Sequence, residues 1–258
     1  MKKVILISVD GMRPDGFLQC GNPFIETLIK QSTHTLNGVT VIPSVTLPCH
    51  LSLFYSIPPE RHGTTTNTYM PPVHPIPGLF EQLANAGKKS AMFYSWEPIR
   101  QVAGFTGLKH AAYTNAYEDE STDTINTNRA LECIDKYHPD FVFLYMVETD
   151  EKGGHDSGWM TVEYLHRISL AMDNIQKIYE KCHEEYTIIV TADHGGHDRT
   201  HGSQIPEDMT IPMFFMGEDF TPGRRVEMLS ILDITPTIAD VMGLYHTAGW
   251  EGKSLLLK

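Results

Sequence analysis

The segment Asp193-His194-Gly195-Gly196-His197, followed by His201-Gly202, places one carboxylate and up to three imidazoles within nine residues. Its glycines allow the tight backbone path such a cluster needs. Imidazole nitrogen and carboxylate oxygen without a nearby cysteine suit a catalytic divalent cation rather than a structural one; Zn²⁺ is the natural occupant, and Mn²⁺ or a mixed pair is compatible. A second acidic and imidazole pair, Asp150 and His155, lies in Asp150-Glu151-Lys152-Gly153-Gly154-His155. A further aspartate, Asp10, directly follows the apolar run Val4 to Val9.

A nucleophile must come from elsewhere, and Pro43-Ser44-Val45-Thr46-Leu47-Pro48-Cys49-His50 offers hydroxyls and a thiol. By residue type Thr46, Ser44 and Cys49 all qualify. Pro48 fits a first helical position, which would put Thr46 at the amino end, where free N–H groups and the helix dipole favour a phosphate. An unactivated threonine is a poor nucleophile. A bound cation lowers its pKa, and a second cation about 4 Å away stabilises the leaving oxygen.

The elements that must position these groups read as α/β. Short Val-, Ile- and Phe-rich runs alternate with segments of helical period, the pattern of a mostly parallel sheet covered by helices. Strands are predicted at Val4 to Val9, Ser90 to Tyr94, Phe141 to Val147, Thr187 to Thr191 and Thr210 to Met216. Three of these run into Asp10, into Glu148 and Asp150, and into Asp193 and His194, so their carboxyl ends share one edge, where open α/β folds build sites. Helices are predicted from Asn22 with Pro23 as first residue, from Leu79 to Ala86 before Gly87, from Trp159 to Cys182, and from Thr235 to Met242 before Gly243. Residues 1–258 read as a single catalytic domain with a reduced cap; the Pro-, Gly-, Thr- and Asn-rich segments 57–77 and 96–123 are the sources of any lid.

Composition narrows the partners. The formal charge of −12 argues against gripping a nucleic-acid polymer or an anionic membrane surface, so an anionic substrate needs locally bound cations. Four scattered cysteines give neither a disulfide framework nor a CxxC site, which suits a reducing compartment. The apolar run after Met1-Lys2-Lys3 is too short for a signal-peptide core, and no stretch approaches a membrane span. A cytoplasmic protein is the expectation.

Taken in order, these residues resemble the alkaline phosphatase superfamily, specifically its type I phosphodiesterase and nucleotide pyrophosphatase branch. The resemblance runs nearly end to end. Asp10 matches the aspartate after the first strand; Thr46, Pro48 and His50 match T-x-P-x-H; Asp150 to His155 resembles D-x-x-G-H; and Ala192 to Gly195 matches S/A-D-H-G. His201 before Gly202, Asp233 to Thr237 (D-I-x-P-T) and Trp250 to Leu255 (W-x-G-x-S-L) complete it. The resemblance implies a three-layer sandwich with helices on both faces of the sheet. It further implies one metal at Asp150, His155 and His201, another at Asp10, Asp193 and His194 with Thr46, and a phosphothreonine intermediate. Asn67 corresponds to the asparagine that donates to a non-bridging phosphate oxygen, which stabilises transition-state charge.

Three departures stand out. Asp150 and His155 are five residues apart where the family has four, so the loop must bulge or Glu151 must replace Asp150; Glu148-Thr149-Asp150 keeps the family's E-x-D order and favours Asp150. Leu47 and Cys49 stand where nucleotide-cleaving members often carry Phe and Asn, and the short chain implies fewer pocket-shaping insertions. His50 and His197 are candidates to orient ligands, and Tyr69, Tyr94, Trp96, Phe105 and Tyr113 to line a leaving-group pocket. The expectation is a two-metal hydrolase of small substrates containing phosphodiester or phosphoanhydride bonds. Phosphomonoester hydrolysis is the alternative, then phosphonate hydrolysis, with a non-catalytic metal-binding protein behind them.

Overall fold

The computed structural model describes residues 2–104, 107–119 and 121–257. Seven strands form one sheet: β1 (Lys3–Val9), β2 (Thr33–Val39), β3 (Ser90–Tyr94), β4 (Leu108–Tyr113), β5 (Phe141–Met146), β6 (Tyr186–Thr191) and β7 (Thr210–Met216), in the order β2-β7-β6-β1-β5-β3-β4. Only β7 runs against its neighbours β6 and β2. β1, β5 and β6 are buried along nearly their whole length, as parallel strands covered on both faces must be.

Nine helices are described: α1 (Pro14–Gln19), α2 (Phe24–Gln31), α3 (Thr46–Tyr55), α4 (Pro59–His62), α5 (Leu79–Asn85), α6 (Thr122–Tyr137), α7 (Val162–Cys182), α8 (Pro206–Met209) and α9 (Ile234–Met242). Side-chain alternation assigns their faces. Phe143 and Tyr145 meet Phe54 and His50 of α3, whereas Phe214 of β7, on the opposite face, meets Phe17 of α1. Helices α5 and α9 contact α3, and α2 and α6 join α1 around α7, which gives the three-layer sandwich. Among the described residues no helix is long and apolar enough to cross a membrane.

Several local expectations shift. Helix α2 begins at Phe24, with Asn22 Oδ1 accepting from the Phe24 N–H and Pro23 in the boundary position. Helix α7 begins at Val162, not Trp159, because Gly158 (φ +103°) and Met160 (φ +64°) are non-helical; Thr161 caps it by accepting from the Tyr164 N–H. In α3 Thr46 is the first residue and Pro48 the third. Strands β2 and β4 and helix α6 were not expected. Strand β2 carries Asn37-Gly38 and an irregular register, and β4 gives six residues of segment 96–123 to the sheet edge.

Candidate metal centre

Strands β1, β5 and β6 lie side by side, and their carboxyl ends deliver Asp10, the 148–155 segment, and Asp193 with His194 to one place. Gly11 makes the convergence possible. It has φ +67°, and a Cβ there would stand 2.8 Å from Asp150 Oδ1. Its N–H donates to Asp193 Oδ1 at 3.2 Å.

Segment Thr149–His155 is a π-helical turn. The extra residue between Asp150 and His155 is absorbed there, since an i→i+5 turn puts the two on one face. Asp150 Oδ2 lies 3.4 Å from His155 Nε2, while Glu151 is less buried. Ahead of the turn, Glu148 accepts from the Asp123 N–H and Asp123 from the N–H groups of Val147 and Glu148, with Arg167 donating to Glu148 Oε2. The glutamate of the E-x-D order is therefore scaffolding.

The imidazoles share one arrangement. His155 Nδ1 donates to the Arg199 carbonyl (3.0 Å), His194 Nδ1 to the Gly195 carbonyl (2.8 Å) and His201 Nδ1 to the Ser44 carbonyl (2.9 Å). A carbonyl can only accept, so each Nδ1 bears hydrogen and each Nε2 is left to offer a lone pair when the ring is neutral. His194 Nε2 faces Asp10 Oδ1 at 3.2 Å, Asp193 Oδ2 at 3.4 Å and Thr46 Oγ1 at 3.2 Å. Asp10 Oδ1, Asp150 Oδ1 and Asp193 Oδ2 are buried with no hydrogen-bond donor. Acceptors crowded together in a dry place need a cation or shared protons between them. Among the described residues two groups fit a cation, Asp10 with Asp193 and His194, and Asp150 with His194 and His201; the ligand atoms within each lie within 4.8 Å of one another. His155 is tied to the second through Asp150, and His194 and His201 stack at 3.9 Å.

The electrostatics match this crowding. Burial pushes Asp193 up to about 8, with the charge of Asp150 adding, and burial beside Asp193 and Asp150 likewise raises Asp10 well above the usual range. Burial also acts upward on Asp150, but the bond with His155 and the nearness of His194 and His201 outweigh it and hold it low. His155 rises to about 9, chiefly through its bond with Asp150.

Thr46 is buried beside this cluster at the start of α3. The expected row of free helix N–H groups is reduced. The Leu47 N–H donates to Asn67 Oδ1 at 3.1 Å, and Pro48 has none. That bond leaves the NH₂ group of exposed Asn67 to donate elsewhere. His50, held neutral by burial that lowers it to about 4, bridges the Thr46 carbonyl (2.8 Å) and Ser8 Oγ (2.9 Å). His197 instead meets buried Asp208 at 2.8 Å. Ser44 Oγ donates to the Ser203 carbonyl, and Cys49, with its thiol pushed up by burial, meets Thr40; neither is disposed as a nucleophile.

Two contributors escaped the sequence reading. Tyr145 donates to Asp10 Oδ2, and Trp159 donates to the Gly11 carbonyl at 3.0 Å. Alternation along Phe141–Met146 could have placed Tyr145 beside Asp10; nothing local marked Trp159. Tyr94 and Tyr113, at the ends of β3 and β4, pack at 5.3 Å, and Tyr117 feels the charges of Glu151 and Asp150. Tyr69 lies with Tyr55 and His74 around a separate small apolar pocket, and Phe105 lies outside the described residues.

Comparison with known proteins gives the family of the chain. Residues 4–129 match the family model "Type I phosphodiesterase / nucleotide pyrophosphatase" and residues 82–246 the model "Metalloenzyme superfamily". The chain is 27% identical over 219 residues to ectonucleotide pyrophosphatase/phosphodiesterase family member 3 of Rattus norvegicus, covering 74% of this chain and 24% of that protein. Against phosphopentomutase of Symbiobacterium thermophilum it is 28% identical over 147 residues, covering 56% of this chain and 35% of that one. It thus spans about a quarter to a third of these relatives. Murine ectonucleotide pyrophosphatase / phosphodiesterase 5 superposes with a TM-score of 0.81 at 16% identity, covering 98% of both chains, and an inactive threonine-to-alanine form of that protein is solved in complex with AMP.

Proposed function

Since the chain belongs to the metalloenzyme superfamily, that of the alkaline phosphatases, we propose that it is a two-metal hydrolase of phosphodiester or phosphoanhydride bonds acting through a phosphothreonine on Thr46. One observation carries this reading: three donorless buried carboxylate oxygens and three imidazoles poised on Nε2 converge beside one buried threonine hydroxyl. Asp10, Asp193 and His194 with Thr46 would hold one ion, and Asp150, His155 and His201 the other, zinc being our choice for both. When bound, the ions supply positive charge that lowers the pKa of the Thr46 hydroxyl and offsets charge on the phosphoryl oxygens.

The remaining steps belong to the chain. Thr46 Oγ1 gives up its proton to solvent and attacks phosphorus in line, its bond to phosphorus forming as the bond to the leaving oxygen breaks, and that oxygen takes a proton from solvent. Water then attacks the phosphothreonine, releasing phosphate or its monoester and restoring the hydroxyl. The Asn67 NH₂ donates to a non-bridging oxygen as charge builds there. His50 and Asn67 hold the same Thr46–Leu47 peptide, one at its carbonyl and the other at its N–H, which limits the motion of Oγ1. Arg13 is occupied by Asp15 and the Gly196 carbonyl, so it does not meet the additional charge of a monoester, which favours diesters. Tyr94, Tyr113 and Tyr117 offer apolar surface to an organic leaving group.

The test is hydrolysis of bis-p-nitrophenyl phosphate and p-nitrophenyl phosphate by Zn²⁺- and Mn²⁺-loaded protein, with Thr46→Ala as control. We expect metal-dependent activity, faster on the diester and lost in the variant. Faster turnover of the monoester would favour the phosphatase reading, and unchanged activity in Thr46→Ala would remove Thr46 from its role.

A further inference from the structure

One buried side chain outside the ligand set touches the loops that carry Asp10, His155 and His201. The Trp159 indole donates from Nε1 to the Gly11 carbonyl, and its ring fills the space where a Cβ at Gly154 or Gly196 would stand, 2.5 and 2.2 Å from ring atoms. It meets His155 edge-on, with centroids 5.3 Å apart at 83°, and His201 at 6.0 Å. Its backbone N–H donates to the Asp198 carbonyl at 2.8 Å, next to the Arg199 carbonyl that orients His155. Delivering the ring requires Gly158 at φ +103° and Met160 at φ +64°, and the latter is a costly conformation for a branchless but bulky residue. Such a conformation persists only where its surroundings over-determine it.

We propose that Trp159 is a positioning residue for the Asp150–His155–His201 end of the site. A rigid indole wedged between two bare glycine backbones sets the gap between the π-helical turn and the His201 loop, and so the separation of ligands those loops carry. This inference rests on the metal reading above. A leucine at 159 would leave the gap free to close or widen, whereas phenylalanine keeps a flat aromatic spacer of smaller area and loses the N–H.

The experiment is titration of metal-free protein with Zn²⁺ against a competing chelator, for wild type, Trp159→Leu, Trp159→Phe and Asp150→Asn, with circular dichroism to verify folding. The binding step lost in Asp150→Asn identifies the outer end. We expect Trp159→Leu to weaken that step by about 10- to 100-fold, the usual effect of removing a group that orients ligands. The other step should change little, and Trp159→Phe should recover most of the loss. A folded leucine variant with both steps as in wild type, or with both weakened equally, would overturn the inference. Should the leucine variant not fold, Trp159→Met, closer to the indole in length but without a rigid ring, decides: selective weakening of the step lost in Asp150→Asn supports the inference, and two steps unchanged or equally weakened overturn it. Wild-type protein that takes up no metal would sink the metal reading itself.

Discussion

Asp150 and His155 stand five positions apart and yet face each other across a single π-helical turn, Oδ2 to Nε2 at 3.4 Å. The extra residue that distinguishes this segment from its family pattern is absorbed by backbone winding, so no exchange of ligand is needed.

That relationship separates two neighbouring carboxylates. Asp150→Ala should remove one of two bound ions and lower diester hydrolysis on the order of 100-fold or more, whereas Glu151→Ala should change either by less than about threefold. Elemental analysis after dialysis, with parallel kinetics, checks this. Loss of an ion in Glu151→Ala alone would exchange the two roles.

In the proposed mechanism Asn67 would serve through both ends of its amide. Asn67→Ala should reduce kcat by about 10²- to 10³-fold, the cost of removing one donor to developing charge, with a smaller change in KM. Asn67→Asp keeps an acceptor for the Leu47 N–H and places charge where the donor was, so it should be no better. A wild-type rate in Asn67→Asp would assign the residue to the Leu47 bond alone.

The protons of the metal-free site should be measurable. Asp193 is raised from 3.8 to about 8 and His155 from 6.5 to about 9, so between those limits the folded chain holds protons that the unfolded chain has released. Their stabilisation is full below the unfolded values and is lost as pH rises through the folded ones. Metal-free protein should therefore show a falling Tm from about pH 6 to pH 9 by calorimetry. Zn²⁺ binding at pH 7 should expel protons, seen as a dependence of the binding heat on buffer ionisation enthalpy. A flat or rising Tm together with no proton release would refute the assignment of these protons.

Tyr145→Phe removes the donor to Asp10 Oδ2 and leaves that oxygen buried without a partner. The cost should be about 1–3 kcal/mol, or a Tm lowered by several degrees in the metal-free protein. An unchanged Tm and unchanged Zn²⁺ affinity would show that the hydroxyl is dispensable.

The sheet's centre and the cluster of acidic and imidazole groups were legible because both depend on strong local signals: continuous apolar runs for β1, β5 and β6, and acidic or imidazole residues just beyond them. The edges were less so. Strand β2 is interrupted by Asn37-Gly38, and β4 alternates half-buried with exposed residues of weak strand preference such as Lys109 and Ala111, so tertiary pairing decides both. The same holds for the site. By type Thr46 does not stand apart from Ser44 and Cys49, and its helix N–H environment depends on Asn67 meeting Leu47 in space. Trp159 is legible only once Gly154 and Gly196 are seen to leave room for it.

Strand β1 lies between β5 and β6, its two hydrogen-bonded neighbours, both encoded much later in the chain. Gly11 and the Asp193 carboxylate it holds are separated by 182 positions. On a ribosome, Asp10 therefore emerges long before any of its partners, and strand pairing of such separation closes slowly. A nascent chain that has not yet passed His201 has no complete cage to offer an ion. The ligands of the proposed ions are thus all on hand only late in synthesis, after the three strands that carry them.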